Sequence, residues 1–199
     1  MDEINISYIH IPKNAGTFVK QFMAIGDNKH LNACDKEREI KGDCSHLHIT
    51  YLEHKNSDTN YFSIIRNPYD RFYSIYKYDK DFLKKHYKED IFKNFETFLE
   101  YFYENPNEIY KHKHLYPQSE FLLDYQNKLN ENIDILLFEQ LPINLKKYLE
   151  KKRIGYHIHK LNKLINQGNY TEKHDFSDTE KKKIQYIYQN DFKLLNKFF

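Results

Sequence analysis

The chain has no tryptophan and only two cysteines among its 199 residues. Two cysteines are too few for a disulfide framework, and the spacing of Cys34 and Cys44 does not match a zinc site, so we expect reduced thiols and no metal. No segment reaches the roughly 18 consecutive apolar residues of a membrane span, and the acidic start of the sequence does not resemble a signal peptide. We therefore expect a cytoplasmic protein with no membrane span.

A large excess of positive charge is also missing. The 31 basic and 29 acidic residues leave a formal net charge of +2. Non-specific nucleic-acid binding usually needs a broad positive field, so we expect no nucleic-acid partner, and any anion site must be local. Only four of the basic residues are arginines, and two of these, Arg66 and Arg71, lie close together.

Segments rich in Gly, Pro or Ser that would separate two domains are absent. Hydrophobic residues make up 40% of the chain and aromatic residues 17%, which is enough to bury one core. We therefore predict a single domain over residues 1–199. The sequence gives no indication of the oligomeric state.

The pattern of apolar residues predicts strands that alternate with helices. A strand over Ile4–Ile11 precedes helical spacing in residues 17–25, and a strand over Tyr61–Ile65 precedes a helix from Tyr69. Further predictions are helices over Ile91–Tyr103 and Ser119–Asp124, a strand over Ile133–Leu141 that leads into a helix, and one amphipathic helix after Ser177. This alternation favours an α/β fold with a mostly parallel central sheet flanked by helices.

The first strand-to-helix turn has the sequence PKNAGT, residues 12–17. Its small residues allow successive backbone N–H groups to turn toward one anion at the start of the helix, and Lys13 and Thr17 add a charge and a hydroxyl. A plain turn capped by Thr17 fits the same residues. The turn lacks the Gly-Lys-Ser/Thr ending of a nucleoside triphosphate loop, which argues against a kinase.

The second turn, in IIRNPYDRFYSIY, places Arg66 at a strand end and Ser74 about two helical turns further on. A guanidinium and a hydroxyl in this arrangement can hold one phosphate. Arg71 either joins them or forms an ion pair with Asp70 or another acidic residue on the face of that helix. Asp70 itself is interpreted as a helix cap.

Histidine pairs with one intervening residue occur three times. His46 and His48 would lie on one side of an extended segment, where an imidazole could remove a proton from a hydroxyl near neutral pH. The same spacing occurs at residues 112 and 114 and at residues 157 and 159, so the pattern alone also fits surface or core histidines.

Together, IHIPKNAGT and FSIIRNPYDRFYSIY closely resemble the two signature loops of the sulfotransferases that use 3′-phosphoadenosine 5′-phosphosulfate (PAPS). The resemblance is strongest to the carbohydrate-type branch, which includes the heparan sulfate 2-O- and 6-O-sulfotransferases. HLHITYLE, HLYPQSEFLLD, LLFEQL and IYQNDFKLL are similar to later family segments, so the resemblance covers nearly the whole chain. It implies a P-loop-like three-layer fold.

The resemblance also implies the cofactor and the roles of individual residues. PAPS would be the donor and adenosine 3′,5′-bisphosphate the product. The 5′-phosphosulfate would be bound by Lys13, Asn14, Ala15, Gly16 and Thr17, and Phe18 would also bind the cofactor. The 3′-phosphate would be bound by Arg66 and Ser74. Lys13 would also stabilise the leaving group, and His48 or alternatively His46 would be the base. Apart from the resemblance, His114 and Gln118 are candidates for contact with the acceptor, and a glutamine after Pro117 also fits a helix cap.

The chain is shorter than the animal Golgi enzymes of that branch, which favours a smaller glycan, lipid or metabolite as acceptor over a large polysaccharide. Two other functions compete with sulfuryl transfer. One is phosphoryl transfer by a nucleotide-dependent kinase on a related fold. The other is nucleotide binding by a protein that has lost catalysis.

Overall fold

The computed structural model of the chain describes residues 6–22, 60–123, 126, 128–130, 133–157 and 173–198. The chain divides into two compact units, each built from two separate stretches. Residues 1–65 and 120–170 form the sheet unit, and residues 66–119 and 171–199 form the helical unit. The single domain over residues 1–199 stays a prediction.

The described strands are β1 (Ile6–Ile9), β2 (Asn60–Ile65) and β3 (Ile133–Leu137). The described α-helices are α1 (Gly16–Phe22), α2 (Pro68–Leu83), α3 (Phe95–Glu104), α4 (Ser119–Leu122), α5 (Ile143–Lys151), α6 (Asp178–Ile187) and α7 (Gln189–Leu195). Short 3-10 helices occur at Glu89–Phe92, Pro106–Lys111 and Phe138–Gln140.

The sheet has the strand order β1-β2-β3, and both pairings are parallel. Ile9 lies opposite Ser63, whose buried Oγ donates to the Ile9 carbonyl at 2.9 Å. Because neighbouring parallel strands end at the same edge of a sheet, the turn after β1 begins at the edge where β2 also ends. The sequence prediction of an α/β fold with a parallel sheet is confirmed.

One apolar cluster joins β1, β2, α1 and α5 in the sheet unit. Its buried members are Ile6, Tyr8, Val19, Phe22, Phe62, Ile64, Leu145, Tyr148 and Leu149. Alternate residues of a strand face opposite sides, so Ile9 and Ile65, which are also fully buried, belong to the other face of the sheet. Burial of both faces is typical of a parallel sheet and explains the nearly continuous apolar runs of the strands.

Aromatic side chains dominate the core of the helical unit. Phe72 of α2 contacts Phe98 and Phe102 of α3, with ring centroids 5.1 and 6.2 Å apart. Tyr188, between α6 and α7, also packs against Phe72, at 5.7 Å. Such pairs add packing energy beyond the area they bury.

Two segments that the sequence predicts as single helices are each interrupted in the structure. Residues 91–103 do not form one helix, because Asn94 caps a new helix by accepting a hydrogen bond from the Thr97 N–H at 2.8 Å. The helix after Ser177 begins with the predicted capping box but breaks at Tyr188, whose φ of −114° and ψ of 34° are not helical. The break accompanies a hydrogen bond from the buried Tyr188 hydroxyl to the Leu115 carbonyl at 2.8 Å.

Candidate functional site

The first loop, residues 12–17, has an unusual backbone. Lys13 and Ala15 have φ angles of 67° and 64°. These angles lie in the left-handed region, which costs a residue with a Cβ about 1–2 kcal/mol. Such a conformation persists only where neighbouring groups impose it, and such positions cluster at ligand sites.

Asn14 anchors this loop from the inside of the sheet unit. Its fully buried side chain donates from Nδ2 to the Ile64 carbonyl at 2.7 Å, and its own carbonyl accepts from the Tyr8 hydroxyl at 3.2 Å. Burial raises the pKa of the Tyr8 phenol, which keeps the hydroxyl protonated as a donor. The Asn14 N–H donates to the Ile11 carbonyl at 3.3 Å. These contacts hold the loop against β1 and β2, and the predicted donor contact of Asn14 stays a prediction.

Gly16 is required by a close approach of His10. A Cβ built on Gly16 would lie 1.7 Å from Nε2 of His10, far inside contact distance. The His10 ring is stacked on Tyr8, with centroids 5.7 Å apart. The sequence indicates a small residue at position 16 but does not single out His10, which lies inside the strand predicted over Ile4–Ile11.

The other residues of the loop differ in exposure. Lys13 is half-buried, Thr17 is exposed, and Phe18 packs against Phe22 with ring centroids 5.4 Å apart. The first backbone N–H groups of α1 have no partner within the helix. The loop therefore offers backbone donors and one lysine, the groups that an anion needs.

The second segment, residues 66–74, follows β2 and belongs to the helical unit. Asn67 caps α2 by accepting a hydrogen bond from the Tyr69 N–H at 3.0 Å, and Pro68 takes the first helical position. Asp70, which the sequence predicts to be the cap, lies three residues after Asn67, within the first turn. An acidic residue there is favourable because of the helix dipole.

The side-chain amide of Gln118 forms hydrogen bonds with both main-chain groups of Arg66, its N–H and its carbonyl. The Arg66 N–H donates to Oε1 of Gln118 at 2.8 Å, and Nε2 of Gln118 donates to the Arg66 carbonyl at 2.8 Å. Arg66 and Gln118 are 5% and 1% exposed. These contacts give Gln118 a positioning role, and its predicted contact with the acceptor stays a prediction.

A buried carboxylate fixes Gln118 in turn. Oδ2 of Asp191 accepts from the Gln118 N–H at 2.8 Å, and Oδ1 accepts from the Ser119 N–H at 2.9 Å. Asp191 is fully buried on α7. Its carboxylate therefore caps the start of α4 from a distant part of the sequence.

Arg71 is a structural residue of the helical unit. It is 1% exposed and donates from Nη2 to the His114 carbonyl at 3.1 Å. Burial lowers the pKa of its guanidinium, and that shift is opposed by Tyr188, Asp191 and Asp79. The sequence leaves two interpretations of Arg71, a phosphate contact and an ion pair with an acidic residue. These neighbours favour the interaction with acidic residues. Of these acidic neighbours, Asp79 lies on the same helix, α2, and Asp191 lies on α7.

His114 lies in a cluster of rings at the surface of the helical unit. Its Nδ1 is 3.0 Å from Oδ2 of Asp79, and its backbone N–H donates to Nδ1 of His112 at 3.3 Å. The ring of His112 lies 5.0 Å from that of His86 and 4.8 Å from that of Phe82. Burial, with His114 and His86, lowers the pKa of His112 to about 4. The predicted acceptor contact of His114 stays a prediction.

Several sequence predictions fall outside the described residues. They include the two candidate bases, His46 and His48, and both cysteines. Ser74 is described: it lies on the buried side of α2 and is 7% exposed. Within the described ranges, no group of three or more His, Cys, Asp or Glu side chains could hold a metal ion. None of the helices in those ranges combines the length and the hydropathy that a membrane span requires.

Comparison with known proteins identifies the family. A family model described as the sulfotransferase family matches residues 1–198. Neither a search of curated proteins nor a search of solved structures found a match. The family model spans both units and nearly the entire sequence. The chain therefore belongs to the sulfotransferase family, whose members are enzymes that transfer a sulfuryl group.

Proposed function

We propose that the protein transfers a sulfuryl group from PAPS to a hydroxyl of a carbohydrate or another small hydroxylated acceptor. The observation that carries this proposal is the family match over residues 1–198. The first loop supports it, because its left-handed residues and buried anchor form a rigid turn at the start of a helix. PAPS, when bound, supplies an activated sulfuryl group on a phosphate.

The first loop is the proposed site of the 5′-phosphosulfate. Lys13 carries the positive charge, and the backbone N–H groups of Ala15, Gly16 and Thr17 are the candidate donors. Phe18 follows them in α1. Because the loop is held by Asn14, these donors are oriented before the ligand arrives, which reduces the entropy lost on binding. Lys13 would also stabilise negative charge on the leaving oxygen.

The second segment is the proposed site of the 3′-phosphate. Arg66 supplies a planar guanidinium, which matches two oxygens of a phosphate, and Ser74 supplies a hydroxyl. Each charge-assisted hydrogen bond contributes about 1.5–3 kcal/mol. Arg66 fits the role better than Arg71, whose side chain is committed to the main chain of residue 114 and to buried acids.

His48, or alternatively His46, is the proposed general base. It would take the proton of the acceptor hydroxyl as the oxygen attacks sulfur, a contribution of about 10²–10⁴ in rate. The test is single-turnover sulfuryl transfer by His48→Ala and His46→Ala. Loss of transfer in one variant identifies the base, and full activity in both removes histidine from the mechanism.

The proposal as a whole is tested with labelled PAPS and a panel of hydroxyl acceptors, from monosaccharides and oligosaccharides to small alcohols. We expect transfer to at least one acceptor and a loss of at least tenfold in Lys13→Ala. The matched control is Lys147→Ala, an exposed lysine on α5 of the same unit. Binding of adenosine 3′,5′-bisphosphate without transfer to any acceptor would indicate a silent nucleotide-binding protein. Stabilisation by ATP with magnesium alone would favour a kinase.

A further inference from the structure

We propose that Gln118 and Asp191 are positioning residues that set the preference for a 3′-phosphorylated nucleotide by fixing the backbone of Arg66. This inference rests on the proposed function, in which Arg66 binds the 3′-phosphate. Neither residue needs to touch the nucleotide. Their effect passes through a chain of hydrogen bonds inside the helical unit, from Asp191 to Gln118 and from Gln118 to Arg66.

The first link is the pairing of one side chain with one main-chain residue. A primary amide carries a donor and an acceptor side by side, and Gln118 uses both on Arg66, each at 2.8 Å. The pairing restricts rotation about the Arg66 backbone. A long arginine side chain amplifies any such rotation at its guanidinium, and paired hydrogen bonds to a phosphate depend strongly on direction.

The second link fixes Gln118 itself. Both oxygens of the Asp191 carboxylate are engaged, one by the N–H of Gln118 and one by that of Ser119. Pro117, directly before Gln118, has a φ angle that is fixed by its ring. The carboxyl group is fully buried, and burial raises its pKa. Arg71 and the two backbone N–H groups oppose that rise because they favour the charged form. The amide of Gln118 is therefore presented in one direction.

Packing alone does not require a polar side chain at position 118. A leucine at position 118 would fill a similar volume without any polar group, whereas the buried amide must find both a donor and an acceptor. Both partners come from a single residue, the arginine that is proposed to bind the ligand. Positioning of Arg66 explains why an amide occupies this place.

The test compares two ligands that differ only in the 3′-phosphate. Calorimetry gives the ratio of the dissociation constant of adenosine 5′-monophosphate to that of adenosine 3′,5′-bisphosphate. We expect a ratio well above one for the wild type. In Gln118→Leu the ratio should fall at least tenfold, because only the bisphosphate is weakened. The control Tyr87→Phe removes a hydrogen bond to the Glu108 carbonyl in the same unit and should leave the ratio unchanged.

Gln118→Glu provides a variant of nearly the same shape and a readout that loss of stability alone would not give. A protonated carboxylic acid has one donor and one acceptor, as the amide does, whereas a carboxylate cannot donate to the Arg66 carbonyl. Burial favours the protonated form. The 3′-phosphate preference of this variant, divided by that of the wild type at the same pH, should therefore recover as the pH falls. This variant also carries the test if Gln118→Leu does not fold.

Asp191→Asn should lower the ratio in the same direction, because an asparagine accepts only one of the two N–H groups. The inference alone is overturned if the wild type prefers the bisphosphate and the folded Gln118 variants keep its ratio at every pH. If the wild type does not distinguish the two ligands, the proposed function fails, and the inference fails with it.

Discussion

The first loop and the second segment both follow a parallel strand and precede a helix, yet they are held in place differently. In the first loop the backbone itself is unusual, with positive φ angles at Lys13 and Ala15. In the second segment the backbone is held by side chains, above all the Gln118 amide on Arg66. One site is specified by local conformation and the other by distant contacts.

This difference decides how each region responds to change. A loop defined by its backbone depends on which residues can adopt its angles and on how much space surrounds them. A segment defined by buried polar contacts depends on every partner being present, because each missing one leaves a group unsatisfied. Two substitutions test this contrast, and a third concerns the ring cluster around His112; they follow in order of decreasing effect.

Removing Arg71 should have the largest effect. Arg71→Met fills the same space but leaves Asp191 and Asp79 buried without their cation, which costs about 3–5 kcal/mol of unfolding free energy. Urea unfolding measures the loss. Lys182→Met, at an exposed position of α6, should change stability by no more than about 0.5 kcal/mol. A small loss in Arg71→Met would show that the second segment does not depend on its buried charges.

Adding one methyl group to the first loop should have an intermediate effect. Gly16→Ala directs a Cβ at the His10 ring, and overpacking of this kind costs about 1–3 kcal/mol. The double variant Gly16→Ala/His10→Ala should recover most of that loss in urea unfolding. Gly155→Ala is a matched control in the same unit, because nothing lies within 4 Å of its Cβ. If the double variant is no more stable than Gly16→Ala, the contact with His10 is not the reason for the glycine.

The smallest effect concerns pH and the ring cluster around His112. Its pKa is about 4 in the folded protein, below the ordinary value of 6.5. Between these values the unfolded chain binds more protons than the folded one, so this group lowers stability as the pH falls from 6.5 toward 4. His112→Gln should therefore show a shallower decline of unfolding free energy over that range. Identical pH profiles for the two proteins would contradict the assigned pKa.

The same contrast explains what could be predicted from the sequence. The turn at residues 12–17, the strands beside it and the cap region after Arg66 have signals within a few neighbouring residues, and the structure has turns at both places. Gln118 and Asp191 act across 52 and 73 residues on their partners. No spacing rule connects positions so far apart, so the sequence suggests only an acceptor contact or a helix cap for Gln118 and no role for Asp191.

The two helices that were predicted as continuous show the same limit. The apolar spacing of residues 91–103 is helical throughout, but the cap at Asn94 divides it. The break at Tyr188 accompanies a hydrogen bond from Tyr188 to residue 115 and hydrogen bonds to Asp191 from residues 118 and 119. Apolar periodicity does not reveal such contacts.

The most direct test of the central claim is calorimetric titration of the full chain with adenosine 3′,5′-bisphosphate. The account predicts saturable binding that Lys13→Ala and Arg66→Ala each weaken at least tenfold. In Arg66→Ala the two hydrogen bonds between the Gln118 amide and residue 66 remain possible, because they involve the N–H and the carbonyl of the main chain. Absence of binding, or equal affinity in wild type and both variants, would contradict the account.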